Sequence, residues 1–435
     1  MLVFISDLHL VDETAGKHNI SAKAFKKFLK EIKVHSDNTK NKGKKVKIVF
    51  LGDIFDLLRT EEWFQENEED RPWGKNTENE KMKKRAMIIL DKIEKKNKET
   101  LNLFTKIELE KIFKDAHVEI IYIPGNHDRL CWMIDELKEK VIKLLDLNTS
   151  NNENFKHYFC DLKYGVYALH GHEFDNFNYA GGPEHNNEDY KVTPIGDLIA
   201  TEIITKIPGE LIKKVESKKL VDEKEKNQLK INFQEIDNIR PLKATLEWLL
   251  VQIKENANLK KIIQDTIIEV MQSFDKLHYV KKYDKWHPFD TSDTVQYLSM
   301  VLQKIKLFSS ESLLNILGYV FKVGGSISDK IGSANLIYNV VDKDHLDNIH
   351  YIIMGHTHIP LQEFLFYFNP ENRNKLKAIY FNTGTWRKTY YGYQCKEGIC
   401  FMERRNMNYV ILYTPEEKPN KKNLPVFETW IGREL

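Results

Sequence analysis

Cysteine is scarce: four residues, at 131, 160, 395 and 400, serve a chain of 435. So few thiols cannot supply a disulfide framework, and the fold must rest on a hydrophobic core. Cys395 and Cys400 are near enough in sequence to bridge or to share a metal, but no second pair completes a zinc site. Long apolar runs are also missing, since none approaches the roughly 20 residues that span a bilayer. The opening residues MLVFISDLHL have neither the basic start nor the cleavage site of a signal peptide, so the expected compartment is the cytoplasm. Charge of one sign is absent as well. With 66 basic and 64 acidic side chains the net charge is +2, which gives no electrostatic reason for indiscriminate nucleic-acid binding.

What is present is an ordinary globular composition, 41% hydrophobic and 30% charged, in a chain long enough for two or three domains or one domain with insertions. Five short apolar runs share one property. Leu2 to Ser6 leads into Asp7, and Val46 to Leu51 into Gly52-Asp53. Val118 to Ile123 leads into Gly125-Asn126-His127-Asp128, Tyr164 to Leu169 into His170, and Ile349 to Met354 into Gly355-His356-Thr357-His358. Each reads as a buried strand followed at once by residues able to ligate metal. Strands lying side by side would gather those ligands at their carboxyl ends. Ala378 to Asn382 and Tyr409 to Tyr413 are further strand candidates.

Helical patterns fill the gaps. Ser21 is placed to cap a helix carrying Phe25, Phe28, Leu29 and Ile32 on one face, and the charged stretch from Asn79 to about Asp115 is helix-prone. From about Asn176 to His345, punctuated by Pro194, Pro208, Pro241 and Pro288, helical periodicity continues for too long to be a loop. The expected organisation is an α/β core in two parts, residues 1–175 and 346–435, interrupted by a mainly helical insertion at 176–345 that could act as a lid.

The candidate ligands are Asp7, His9, Asp53, Asn126, His170, His356 and His358. In an extended chain residues i and i+2 point the same way, so Asp7 with His9, and His356 with His358, can each reach one ion. Asp53 has two carboxylate oxygens and can bridge two cations. Mixed oxygen and nitrogen donors favour Mn, Fe, Zn or Co over Mg or Ca, with Mn the first expectation. Taken singly, each residue is as well explained as a strand-end cap; seven at the ends of five runs are not. His172, two residues after His170, could compete for the same role or lie behind it. Arg129 could touch a phosphate or be merely solvated.

The ordered series SDLH, GDIFD, GNHD, LHGH and GHTH resembles the signature of calcineurin-like metallophosphoesterases. The resemblance covers about 50 motif residues and leaves 176–345 unmatched. It implies a four-layer αββα sandwich with two divalent ions, one on Asp7, His9, Asp53 and His358, the other on Asp53, Asn126, His170 and His356. It further implies hydrolysis of a phosphodiester or pyrophosphate bond by a hydroxide held on the two metals. His127 would assist as the proton-handling group, with Asp128 orienting its imidazole. GDIFDLL, LHGHEFD and NTGTW look most like UDP-2,3-diacylglucosamine pyrophosphatases. That points to a phosphorylated small molecule or nucleotide-sugar lipid as substrate, with peripheral membrane contact if it is a lipid. Leu313, Leu314, Leu317, Val320 and Phe321 form an apolar stripe that could line a groove for acyl chains, or simply pack the insertion's own core. Two other readings stand beside it. A DNA-repair-type metallo-nuclease shares GDIFD, GNHD and GHTHIP, and a non-catalytic scaffold could keep the same fold.

Overall fold

The computed structural model describes residues 1–40, 45–73, 79–114, 116–148, 154–175, 177–182, 186–218, 221–240, 244–253, 256–284, 348–368, 375–396 and 398–433. The apolar stripe at 313–321 lies outside the described residues.

The protein is mixed α/β. Strands β1 (Leu2–Ile5), β2 (Lys45–Leu51) and β3 (His117–Ile123) run parallel. Two more belong at the chain's far end: between β3 and these come β4 (Tyr158–Asp161), β5 (Val166–Leu169), β6 (Ile239–Arg240), β7 (Tyr351–Met354), β8 (Leu361–Phe368), β9 (Lys375–Asn382), β10 (Thr389–Cys395) and β11 (Gly398–Arg404), then β12 (Asn406–Tyr413) and β13 (Val426–Arg433). One five-stranded sheet has the order β13-β12-β1-β2-β3, and a second has β4-β5-β7-β9-β8. In the second sheet β5, β7 and β9 are parallel, flanked by antiparallel β4 and β8. A small sheet, β11-β10-β6, joins the hairpin closed by the Cys395–Cys400 disulfide to the short parallel strand β6.

The residues of β1 are apolar throughout because both faces of the strand are covered. Leu2 and Phe4 enter a cluster with Val49, Leu51, Ile123, Val166, Ala168, Ile353 and Phe381, which puts the two large sheets face to face. Val3 and Ile5 enter a second cluster on the opposite face with Phe25, Phe28, Leu29 and Ile32 of α1 (Ala22–Asp37). The side chain of Ser21 accepts from the amide of Ala24, capping α1 as the sequence predicts. Helices α2 (Glu80–Asn102) and α3 (Lys106–Phe113) add Ile89, Leu90, Ile93, Leu109 and Phe113 to that cluster.

Between residues 177 and 284 the described chain is mainly helical, with helices at Lys206–Lys218, Glu223–Gln234, Thr245–Gln252 and Ala257–Lys276. Their apolar faces, including Leu211, Val215, Phe233, Ile263 and Phe274, belong to the same cluster as α1 and α2. No described helix is long and apolar enough to cross a membrane.

Trp386 ties the layers together. Its ring stacks on Phe25 and meets Phe28 edge-on, both at 5.1 Å, while Nε1 donates to the carbonyl of Asn408 at 2.7 Å. Replacing it removes a buried indole and orphans that carbonyl. Trp386→Ala is expected to lower unfolding stability by about 3–5 kcal/mol, measured by urea denaturation; a loss below 1 kcal/mol would contradict its place in the core.

Candidate metal centre

Five loops leave the carboxyl ends of β1, β2, β3, β5 and β7 and meet at one rim of the two sheets. The first two are laced together: Asp7 N donates to Gly52 O at 3.0 Å, His9 N to Asp53 O at 2.9 Å and Leu10 N to Ile54 O at 2.9 Å. His127 N donates to Asp53 Oδ1 at 2.8 Å, and His356 N to Asp7 Oδ2 at 3.0 Å. Each carboxylate thus fixes a neighbouring loop as well as facing the site.

Side chains gather into overlapping groups. Ligand atoms of Asp7, His9, Asp53 and His358 lie within 4.8 Å of one another, and so do those of Asp53, His170 and His356. Asp53 belongs to both. Its Oδ2 is 3.6 Å from His9 Nε2 and 3.2 Å from His170 Nε2. Asn126 completes the second group, its Oδ1 standing 3.2 Å from His170 Nε2 while its Nδ2 donates to Asn178. His9 Nε2 and His358 Nε2 face each other at 2.9 Å, a separation at which two imidazole nitrogens need a proton or a cation between them. All seven predicted ligands therefore converge, although they span residues 7 to 358.

The reason they converge differs from the extended-strand argument. Asp7, His9, Asp53, His356 and His358 all adopt left-handed backbone conformations, with φ between 43° and 69°. Asp7 and His9, and likewise His356 and His358, share a side because the chain turns. Such conformations in residues with a Cβ cost roughly 1–2 kcal/mol each. Glycine makes room beside them: a Cβ on Gly52 would overlap the His170 ring, and one on Gly355 would overlap the carboxylate of Asp7.

Burial sets the electrostatics. Asp7, His9, Asp53, Asp56, Asn126 and His170 are at most 2% exposed. Desolvation opposes ionisation of Asp53, yet His170 and His127 hold its carboxyl far below the usual range. Burial equally opposes a charged His170, but Asp53 pushes its imidazole up to about 10, and Asp56 and Asp7 push His9 up to about 8. Burial and the adjacent Arg240 keep His358 well below an ordinary imidazole. The acidic groups thus demand positive charge, and buried His/Asp clusters of this composition can hold metal ions.

Some supporting roles fall elsewhere than the motifs suggest. Asp56, not Asp128, backs His127: Asp56 Oδ1 is 2.9 Å from His127 Nδ1, and its Oδ2 is 3.1 Å from His9 Nδ1. Asp128 accepts from the amides of Gly125 and Ile54 and so joins the β2 and β3 loops; burial and Asp53 raise its carboxyl to about 6. Arg129 neither faces solvent nor reaches the ligand groups. It is 5% exposed and pairs with Asp197 at 2.7 Å. His172 is buried beside His170, ring centroids 5.4 Å apart, and belongs to none of the ligand groups found among the described residues. Asp175 was not anticipated; its Oδ2 lies 3.0 Å from His356 Nε2. Asp56 and Asp175 were visible as the last letters of GDIFD and LHGHEFD, but only folding shows which imidazoles they meet. No family model, curated protein or solved structure matches this chain.

Asp56 faces Nδ1 of both His9 and His127 and forms with them a third group whose ligand atoms lie within 4.8 Å of one another, so Asp56→Asn should weaken Mn²⁺ binding about 10–100-fold while the fold persists, as followed by calorimetry and circular dichroism. Unchanged affinity would remove Asp56 from the centre.

Proposed function

We propose that this protein is a metal-dependent phosphoesterase that hydrolyses a phosphodiester or diphosphate bond. The observation carrying this reading is the shared Asp53, one carboxylate common to two histidine-containing ligand groups. Two face-to-face sheets with ligand loops on one rim accord with the αββα sandwich of the calcineurin-like enzymes that the motifs resemble.

The donor set fits two divalent ions, one on Asp7, His9, Asp53 and His358, the other on Asp53, Asn126, His170 and His356. Neutral imidazoles, carboxylates and one amide oxygen suit Mn, Fe, Zn or Co better than Mg or Ca, and Mn is the ion proposed. Bound there, such ions supply Lewis acidity, neutralising phosphoryl oxygens and lowering the pKa of water.

The chain contributes the rest. Asp56 accepts from His127 Nδ1, which leaves Nε2 without a protein partner among the described residues. That nitrogen can hydrogen-bond a phosphoryl or leaving-group oxygen, with Asp56 stabilising the charged ring as a proton is passed on. Burial does further work, since a site shielded from water strengthens each interaction with a charged phosphate. Against the opposition of burial, the surrounding imidazoles keep Asp7 and Asp53 ionised, ready to bind cations.

Mn²⁺-loaded protein should hydrolyse bis-p-nitrophenyl phosphate. Asp53→Asn is expected to remove at least ~100-fold of that activity together with bound metal, and hydrolysis unaffected by this change would end the proposal. His127→Ala should retain metal by elemental analysis yet lose roughly 100-fold or more in kcat; equal loss of metal would make His127 a ligand support instead.

A further inference from the structure

The candidate ligands are deeply buried, but one side of the site keeps contact with solvent. Side-chain exposure is 16% at His127, 12% at His358 and 10% at His356, against 1% or less for Asp7, His9 and Asp53. That side is the mouth, and Arg240 borders it. The segment from Gln234 to Arg240 is clamped beneath the rim. Gln234 O and Asn238 hold His18, Asp237 pairs with Arg59 and lies 3.2 Å from Arg387, and β6 pairs with β10. This clamp delivers the Arg240 guanidinium against Nδ1 of His358.

Arg240 is only 9% exposed, and its Nη1 donates to two main-chain carbonyls, Asp237 O at 2.7 Å and Ile239 O at 2.8 Å. Among the described residues it forms no ion pair, because Asp237 is engaged by Arg59 and Arg387. A buried cation without a counter-charge is costly. The contact with His358 does not relieve it in the loaded site. Once Nε2 of His358 serves a cation, the ring's proton resides on Nδ1, and two donors then face one another. Arg240 Nη2 needs another acceptor, and the mouth admits what the substrate brings.

We propose that Arg240 binds an anionic oxygen of the substrate and selects phosphoryl compounds carrying a second negative charge beside the reacting phosphorus, such as monoesters and diphosphates, over singly charged diesters. This rests on the phosphoesterase reading. Arginine is suited to the task because its planar fork matches phosphate oxygens and stays charged when desolvated.

The test uses full-length Mn²⁺-loaded protein with Arg240→Gln and Arg240→Lys. Substrates are bis-p-nitrophenyl phosphate, singly charged, p-nitrophenyl phosphate and UDP-glucose, both doubly charged. Arg240→Gln is expected to lower the ratio of kcat/KM for doubly over singly charged substrates by about 10-fold or more, with Lys restoring part of it. Inorganic phosphate, titrated by calorimetry, should bind Arg240→Gln about 10-fold more weakly at unchanged manganese content. The monoester and UDP-glucose arms separate a terminal phosphoryl from a neighbouring phosphate as the anion recognised. Equal loss on all substrates, unchanged phosphate affinity, or loss of manganese in Arg240→Gln would each overturn the proposal. Wild-type protein that binds phosphate through Arg240 but hydrolyses nothing would sink the phosphoesterase reading and leave the anion site standing.

Discussion

The carboxylate of Asp53 faces imidazoles from both large sheets, and the rim is arranged around that meeting. Its Oδ2 lies near His9 and His170, while its Oδ1 takes the amide of His127. Charge, loop geometry and sheet alignment therefore converge on one side chain at 1% exposure. A buried carboxylate is stable only if fully partnered, so each loop around Asp53 is fixed by what it must present. The left-handed backbone at five ligand residues is the cost of presenting them together.

That cost is offset by rigid support from behind. The stretch Asn382-Thr383-Gly384-Thr385-Trp386 is a brace: Asn382 donates to Gly355 O, Thr383 Oγ1 meets Ser6, and Thr385 donates to Asp7 O at 2.6 Å. Trp386 then anchors the brace among Phe25 and Phe28. The same residues thus connect the aromatic core to the β1 and β7 loops, and stability and site geometry share one set of contacts.

Much of this could be read in advance. Apolar runs ending in polar residues mark the strands because β1, β2, β5 and β7 are buried on both faces, and buried strands lack a polar alternation that might obscure them. Edge and hairpin strands such as β4, β8, β10, β11 and β13 carry mixed, partly exposed residues, so no run announces them. The candidate ligands were legible as residue types at strand ends; the turn that brings them together was not, because left-handed φ at Asp and His has no sequence signature. The partner of His127 was misplaced for a related reason. Asp128 adjoins it in the chain, but the backbone amides of the β2 and β3 loops claim that carboxylate, and Asp56 arrives from another strand. Arg240 is a lone arginine in a helical stretch, and only the clamp between Arg59, Arg387 and His18 gives it a position.

The pairing order of the first sheet bears on biosynthesis. β1 precedes the other strands of its sheet in the chain, yet it lies between β2 and β12, and β12 begins at Asn406. The central strand accordingly waits with one edge unpaired until β12 has been made. His356 and His358 follow β7, so the candidate ion-holding groups are assembled only after that strand has been made. A nascent chain stalled before β7 would carry Asp7, His9 and Asp53 without their later partners.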